Sequence, residues 1–314
     1  MLMFEIVRYK SENEAIWNSF VSNSKNGTFL FNRGYMDYHR DRFNDHSLMI
    51  FKDSKLYALF PANEEEDVIW SHHGLTYGGV VTNEMATAAD MIELFAELNG
   101  YYKLHGFKKV IYKPIPWEYH SIPAQEDIYA LFRTTNFRLI GCNIGSVING
   151  KYKIKFKELR RRGVKKALKN GLIVEKSDNI DEFWSILEEN LYRQYGAKPV
   201  HTVEEIKLLK SRFPDNICLI SASKDGIMLG GTLLFIFPNV VHTQYISANE
   251  KGKQLGALDL VFDQIVNTLY ADFDYIDFGT SNEQNGLFLN ESLIFQKEGF
   301  GGRGVVYNIF EYDL

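Results

Sequence analysis

Between Tyr275 and Gly302 the chain crowds Asp277, Ser281, Asn282, Glu283, Asn290, Glu291 and Lys297 behind one short strand-like run. A chain end with no task is expected to fray. Carboxylates, amides and a lysine in one stretch can instead orient an amine, take its proton and meet developing negative charge. In open α/β architectures ligands sit beyond the carboxyl ends of strands, and Glu283 follows the last strand outward to that position. Glu283 is therefore the leading general base or amine-orienting carboxylate. Asp277, Ser281, Asn282, Asn290 and Glu291 are candidate contacts to a polyhydroxylated or amide-bearing acceptor, with structural capping or surface charge as the alternative.

Upstream, "VVHTQYIS" brings His242, Gln244 and Ser247 within one residue of a shared strand face. An imidazole titrates near neutrality, so His242 is a second candidate base, or else a core histidine. Tyr245 is a candidate proton donor to a leaving thiolate, or a packing residue. Asn249 to Gly256 reads as a glycine-bearing loop opening a helix. Backbone N–H groups at a helix start favour anions by roughly 0.3–1 kcal/mol. Gly252, Lys253, Gln254, Gly256 and Ala257 are thus a candidate phosphate cradle for a donor, or an ordinary strand-to-helix turn.

Charge is uneven. The net charge of the 314 residues is -5, with 35 basic and 40 acidic side chains. Residues 151–169 hold ten basic residues and one acid, Glu158, which leaves 25 against 39, or -14, for the rest. That balance argues against DNA and general nucleic-acid binding and marks one segment as a footprint for a localised anion. Arg160, Arg161 and Lys165 are its candidate contacts, since 161 and 165 are i,i+4 neighbours; a solvated charged face is the alternative. In the first half, "WSHHGLTYGG" offers His73, Thr76 and Tyr77 as acceptor contacts. His72 and His73 are adjacent, so on a strand they point apart, and no nearby Cys or Asp completes a set; no metal is expected. Tyr35, Tyr38, His39 and Arg42 recur at helical spacing, for packing or acceptor contact.

These residues need a frame. Helical periodicity over Ile180 to Tyr195 is followed by a Thr202/Glu205 capping box and a helix stopped by Pro214. Three strand-like runs follow, Ile217 to Ser223, Ile227 to Phe237 and Val240 to Ser247, then the glycine loop, a helix and the strand Tyr275 to Gly279. The first half has nearly the same order: helices at Glu12 to Val21 and Asn32 to Phe43, a hairpin at Leu48 to Phe60, more strand, a helix from Ala86 to Lys103, and the strand Lys109 to Lys113. Two copies of one α/β (α+β) unit are expected, residues 1–150 and 151–314. At 45% hydrophobic and 14% aromatic the chain suits packed domains. Cys142 and Cys218 read as buried free thiols. With no bilayer-length apolar run and no signal-peptide pattern, a cytoplasmic protein is expected, monomer or homodimer.

That element order is the order of the GCN5-related N-acetyltransferase (GNAT) fold. Two copies joined by a basic helix resemble the FemAB-type and BioF2-like branch of that superfamily. "FKELRRRGVKKALKNGLIVE", Phe156 to Glu175, is similar to the helix that opens the second Fem-type domain; "YIDFGTSNE" is similar to its D-F-G strand end. "FQKEGFGGRGVVY" resembles the closing F-K-x-x-F-G-G motif with one residue inserted, and "HHGLTYGGVV" sits where first domains carry a glycine turn beside the acceptor. The family's pyrophosphate signature R/Q-x-x-G-x-G/A is here "EKGKQLGALD".

The resemblance implies two tandem domains, each a mixed, mostly antiparallel sheet flanked by helices, the first serving the acceptor and the second the donor and catalysis. It implies that the acyl arm lies between the His242 strand and the Tyr275 strand, and that Lys297 stabilises charge on a phosphate or the oxyanion. The reaction expected is acetyl transfer from acetyl-CoA to an amine of a cell-envelope or glycan precursor, such as a sugar on a lipid or nucleotide carrier. Aminoacyl transfer from tRNA to a peptidoglycan precursor is the alternative, disfavoured by the acidic body. A non-catalytic ligand-binding protein with a degenerate donor site is a third reading.

Overall fold

The computed structural model describes residues 3–314. The chain forms two compact units. The first comprises the described residues up to 143, with 282–288 and 306–314; the second comprises residues 144–281 and 289–305.

In the first unit, Phe4–Arg8, Leu48–Lys52, Lys55–Phe60 and Val81–Thr82 make an antiparallel sheet in that order. The hairpin turns at Asp53 and Ser54, both at positive φ. The helix Ala88–Leu104 starts where the Thr87 hydroxyl accepts from the Asp90 N–H, and it buries Met91, Leu94, Phe95, Leu98 and Tyr102, a 3–4 spacing. The helix expected over 32–43 is shorter. Arg33–Met36 is α-helical and Asp37–His39 is 3-10, because the segment bends inward to bury Arg33 and His39. Arg33 reaches Asp37 and Asp45 at 2.5 and 3.1 Å and lies 4.0 Å over the Tyr9 ring.

One buried cation in this unit has a measurable consequence. The Lys113 ammonium donates to the carbonyls of His73 and Leu75 beneath the 71–79 turn. Burial pushes its pKa down to about 7. Unfolded, a lysine holds its proton to about 10.4. Between those values the unfolded chain binds more protons, so stability rises with pH. The melting temperature is expected to rise from about pH 7 to pH 9 through this linkage, with a smaller rise in Lys113→Met.

The second unit is built on a meander. Ile173–Ser177, Ile217–Lys224, Ile227–Ile236 and Val240–Ala248 pair antiparallel in sequence, and Tyr275–Thr280 joins parallel to the last. The far side of Tyr275–Thr280 pairs with residues 145–149. The helix Ile180–Tyr195 begins on Asn179 and ends on Gly196 at φ 61°, and Thr202 and Glu205 form the expected capping box of Val203–Arg212. One core links these layers, with Leu260, Val261, Phe262 and Ile265 of the later helical segment packed against Ile220, Leu234, Val241 and Ile276.

Two local expectations are corrected. Residues 250–255 are helical rather than a loop, because the Asn249 side chain accepts from the Gly252 N–H and nucleates a turn. Cys142 is exposed and Cys218 half-buried; Cys142 falls in the outward-facing first half of the strand Arg138–Asn149.

Candidate active site

Two strands part to make room. Val240–Ala248 and Tyr275–Thr280 pair only at Val240–Tyr275, Val241–Ile276 and His242–Asp277. Past that last pair a cavity of about 390 Å³ opens. Its walls are Ile246, Ser247 and Ala248 from one strand and Phe278 from the other. The helix Ile180–Tyr195 adds Leu187, Asn190, Leu191 and Gln194; Leu258, Phe262 and Phe300 add apolar surface. Lys253 and Lys297 bring positive charge to the walls. Apolar walls with a few polar groups are the usual lining of a small-molecule site.

At the point of divergence four residues interlock. The His242 Nδ1 lies 2.8 Å from the Asp277 Oδ2, and the fully buried Asp277 accepts the Gly279 N–H through Oδ1 at 2.7 Å. Gly279 has φ +68°, a conformation that favours glycine. A Cβ there would lie 3.2 Å from the His242 Cε1 and 3.9 Å from Nε2, so a side chain at this position would crowd the imidazole. The Lys297 Nζ donates to the carbonyls of Gly279 and Thr280 at 3.0 and 2.6 Å. Burial lowers its pKa to about 8, against the pull of the Asp277 charge. Near neutrality Lys297 is therefore a cation with one N–H beyond those two bonds, in the cavity wall. An imidazole with Nδ1–H on a carboxylate carries its lone pair on Nε2, which is what a base needs.

Other candidates go elsewhere. The Tyr245 hydroxyl meets His201 Nδ1 at 2.6 Å, and its ring packs edge-on to Trp184. Burial raises its pKa to about 12, which suits a structural phenol better than a proton donor. Glu283 is exposed on a hairpin of Asn282–Glu283 with Phe288–Leu289, and it belongs to the first unit. Asn282 donates to the Phe288 carbonyl at 3.5 Å. Asn290 caps the helix Glu291–Gly299 by accepting the Leu293 N–H, and Glu291 is exposed in its first turn. Ser281 is buried, its N–H on the Ile144 carbonyl and its own carbonyl on the Asn290 N–H.

The glycines of the expected phosphate cradle pack closely against neighbouring backbone. A Cβ on Gly252 would meet the Leu229 carbonyl at 2.1 Å, and Ala257 is fully buried. Gly256 has φ +81°, and a Cβ would stand 2.5 Å from the Gly163 carbonyl. Gln254 is exposed; Lys253 reaches Asn190 and Glu250 and lines the cavity. Gly256→Ala is expected to destabilise by about 2–5 kcal/mol, overpacking of about 1–3 kcal/mol added to the left-handed backbone cost. Gly171→Ala, at φ +72° with open space around it, isolates the backbone cost alone, about 1–2 kcal/mol. Urea midpoints of the two variants make the comparison.

Arg160 turns inward to Asp259 at 3.0 Å and over the Phe300 ring, whereas Arg161 pairs with Glu158 and Lys165 is exposed. In the first unit His73 stacks on Trp70 at 4.0 Å, Thr76 is exposed and Tyr77 is buried against Phe31 and Tyr119. Among the described residues no group of three or more His, Cys, Asp or Glu is arranged to hold a metal ion. Sequence reasoning missed Asn190, which donates to Ser247 Oγ and the Ala248 carbonyl from the cavity wall. Its signal was an amide one residue from Leu191 and three from Leu187, on the inward face of an amphipathic helix.

Residues 155–285 match the family described as "Acetyltransferase (GNAT) domain". No curated protein sequence matches the chain. Among solved structures, FemX is similar at TM-score 0.70 and 12% identity, covering 99% of this chain and 97% of that one. L-PGS from Bacillus licheniformis follows at TM-score 0.61 and 12% identity, covering 97% and 92%. A tandem GNAT protein from the clavulanic acid biosynthesis pathway is similar at 0.51 and 8%, covering 99% and 98%. At these identities the structures speak to fold, and all three span nearly the whole chain.

Proposed function

We propose that this chain, a FemAB-like tandem GNAT-fold acyltransferase, moves acetyl from acetyl-CoA to an amine of a cell-envelope or glycan precursor. The observation that carries the reading is the cavity beginning where the pairing of two strands ends, with Lys297 in its wall and the His242–Asp277 pair at its root. In the reading, the second unit holds the donor and the first the acceptor. The amine attacks the thioester carbonyl. His242 Nε2 takes the amine proton while Asp277 holds the ring and supports the imidazolium. The free Lys297 N–H meets the oxyanion, and collapse expels the thiolate. Leu187, Leu191, Ile246 and Leu258 keep water from the acyl arm.

The acceptor class rests on family likeness, so it is the part to test. Purified protein is given acetyl-CoA and a panel of amino sugars, free and nucleotide-linked, with release of free thiol as the readout. Charged tRNA with the same acceptors runs in parallel. Amine-dependent thiol release is expected. Transfer from charged tRNA alone would replace the donor with an aminoacyl ester, and transfer from neither would favour a non-catalytic ligand-binding protein.

A further inference from the structure

The chemistry above leaves one face of the basic helix Glu158–Lys169 unused. At about 100° per residue, Arg160, Gly163, Val164 and Ala167 share its inner side. Ala167 is fully buried, Gly163 abuts Asp259, and Arg160 is paired with that same carboxylate. The outer side carries Arg161, Arg162, Lys165, Lys166 and Lys169, all exposed, with Glu158 the sole acid among them. Leu159 and Leu168 border this cationic strip on opposite flanks and are 57% and 58% exposed. The approach to the helix repeats the mixture, with Lys151, Lys155 and Lys157 exposed beside Tyr152 and Ile154. A recess of about 380 Å³ lies alongside, lined by Lys155, Arg161 and Lys165, with Asp263 and Asn267 on its other wall.

We propose that this face docks on the surface of an anionic lipid bilayer, with a lipid phosphate seated in the recess. Cations alone fit any polyanion; the apolar side chains decide between them. Leucine, isoleucine and tyrosine standing among lysines enter the boundary between headgroups and acyl chains, where both kinds of group gain. A nucleic acid is held by stacking aromatics and arginines, and only two arginines of the helix point outward here. The remaining residues sum to -14, so the net attraction to an anionic surface comes from this segment. The proposal is independent of the acyl donor.

Co-sedimentation of the full chain with vesicles tests it. Vesicles of phosphatidylcholine mixed with phosphatidylglycerol are expected to pellet the protein at low salt, and phosphatidylcholine alone is not. Binding should disappear near 1 M salt, where the Debye length is about 3 Å. Reversing Lys165, Lys166 and Lys169 to Glu together should weaken binding by roughly 100-fold or more. Leu159→Ser with Leu168→Ser leaves every charge in place and should weaken it several-fold. No pelleting of the wild-type chain at low salt overturns the proposal. So does vesicle binding that ignores the charge reversals. Binding of tRNA that exceeds vesicle binding and is unaffected by the leucine changes assigns the face to nucleic acid instead.

Discussion

Lys297→Met is expected to lower turnover by about 10²–10³-fold while leaving acetyl-CoA affinity within a few-fold, the pattern of a donor used only in the transition state. The variant should also be at least as stable as the wild type at neutral pH. Lys297 is a cation held in a buried wall, and its pKa of about 8 means that folding disfavours its charge. Removing it relieves that cost, although it leaves the carbonyls of Gly279 and Thr280 without a donor. The sign of the pH effect follows. The folded pKa lies below the unfolded value, so the cost is present below pH 8 and fades as pH rises towards about 10.4. Activity is expected to run the other way, because the proposed role of Lys297 uses the cation. Turnover should fall as pH rises through about 8, and Lys297→Arg, if active, should lose that limb because a guanidinium stays protonated. A Lys297→Met enzyme with wild-type turnover would leave this lysine as a clamp on two carbonyls.

Asp277→Asn is expected to lower turnover by about 10²–10⁴-fold with the fold intact. The Asp277 carboxylate accepts twice, from Gly279 N–H and on the side facing His242 Nδ1. An amide keeping its oxygen on Gly279 presents an NH₂ to His242. That forces the proton to Nε2 and removes the lone pair that would take the amine proton. His242→Gln should cost a similar factor, and the double variant little more than either alone, because the pair acts as one unit. Asp277→Ala differs: it leaves two half-buried donors without their acceptor, at up to about 1–3 kcal/mol each, so it should lose stability as well. Normal turnover in Asp277→Asn would make the pair a packing feature of the strands.

Much of this frame was legible from residues alone. Periodicity over Ile180–Tyr195 and the Thr202/Glu205 box marked helices that the structure contains, because caps and apolar stripes are local signals. The meander from Ile217 to Ala248 was legible for the same reason, with Asp225-Gly226 at its first turn, both at positive φ. His242, Asp277 and Lys297 were each singled out, yet their meeting was not readable: strand register and a helix 17 to 20 residues further on bring them together. Glu283 drew attention by its position after a strand, but an exposed hairpin carries it. Gly252 and Gly256 looked like a phosphate loop because glycine serves close backbone approach as readily as ligand approach. Here the approaching backbone belongs to Leu229 and Gly163. Asn190 escaped notice because one amide in a helix says nothing until its inward face meets a cavity.

The central claim is that the cavity between the diverging strands receives the donor. Calorimetric titration of acetyl-CoA into the wild-type protein and into Leu293→Trp tests it most directly, since Leu293 is a half-buried wall residue and an indole there fills the space. The account predicts micromolar binding to the wild type and its loss in Leu293→Trp, with Glu283→Gln binding as the wild type does. Equal affinity in Leu293→Trp, or no binding to the wild type, would contradict it.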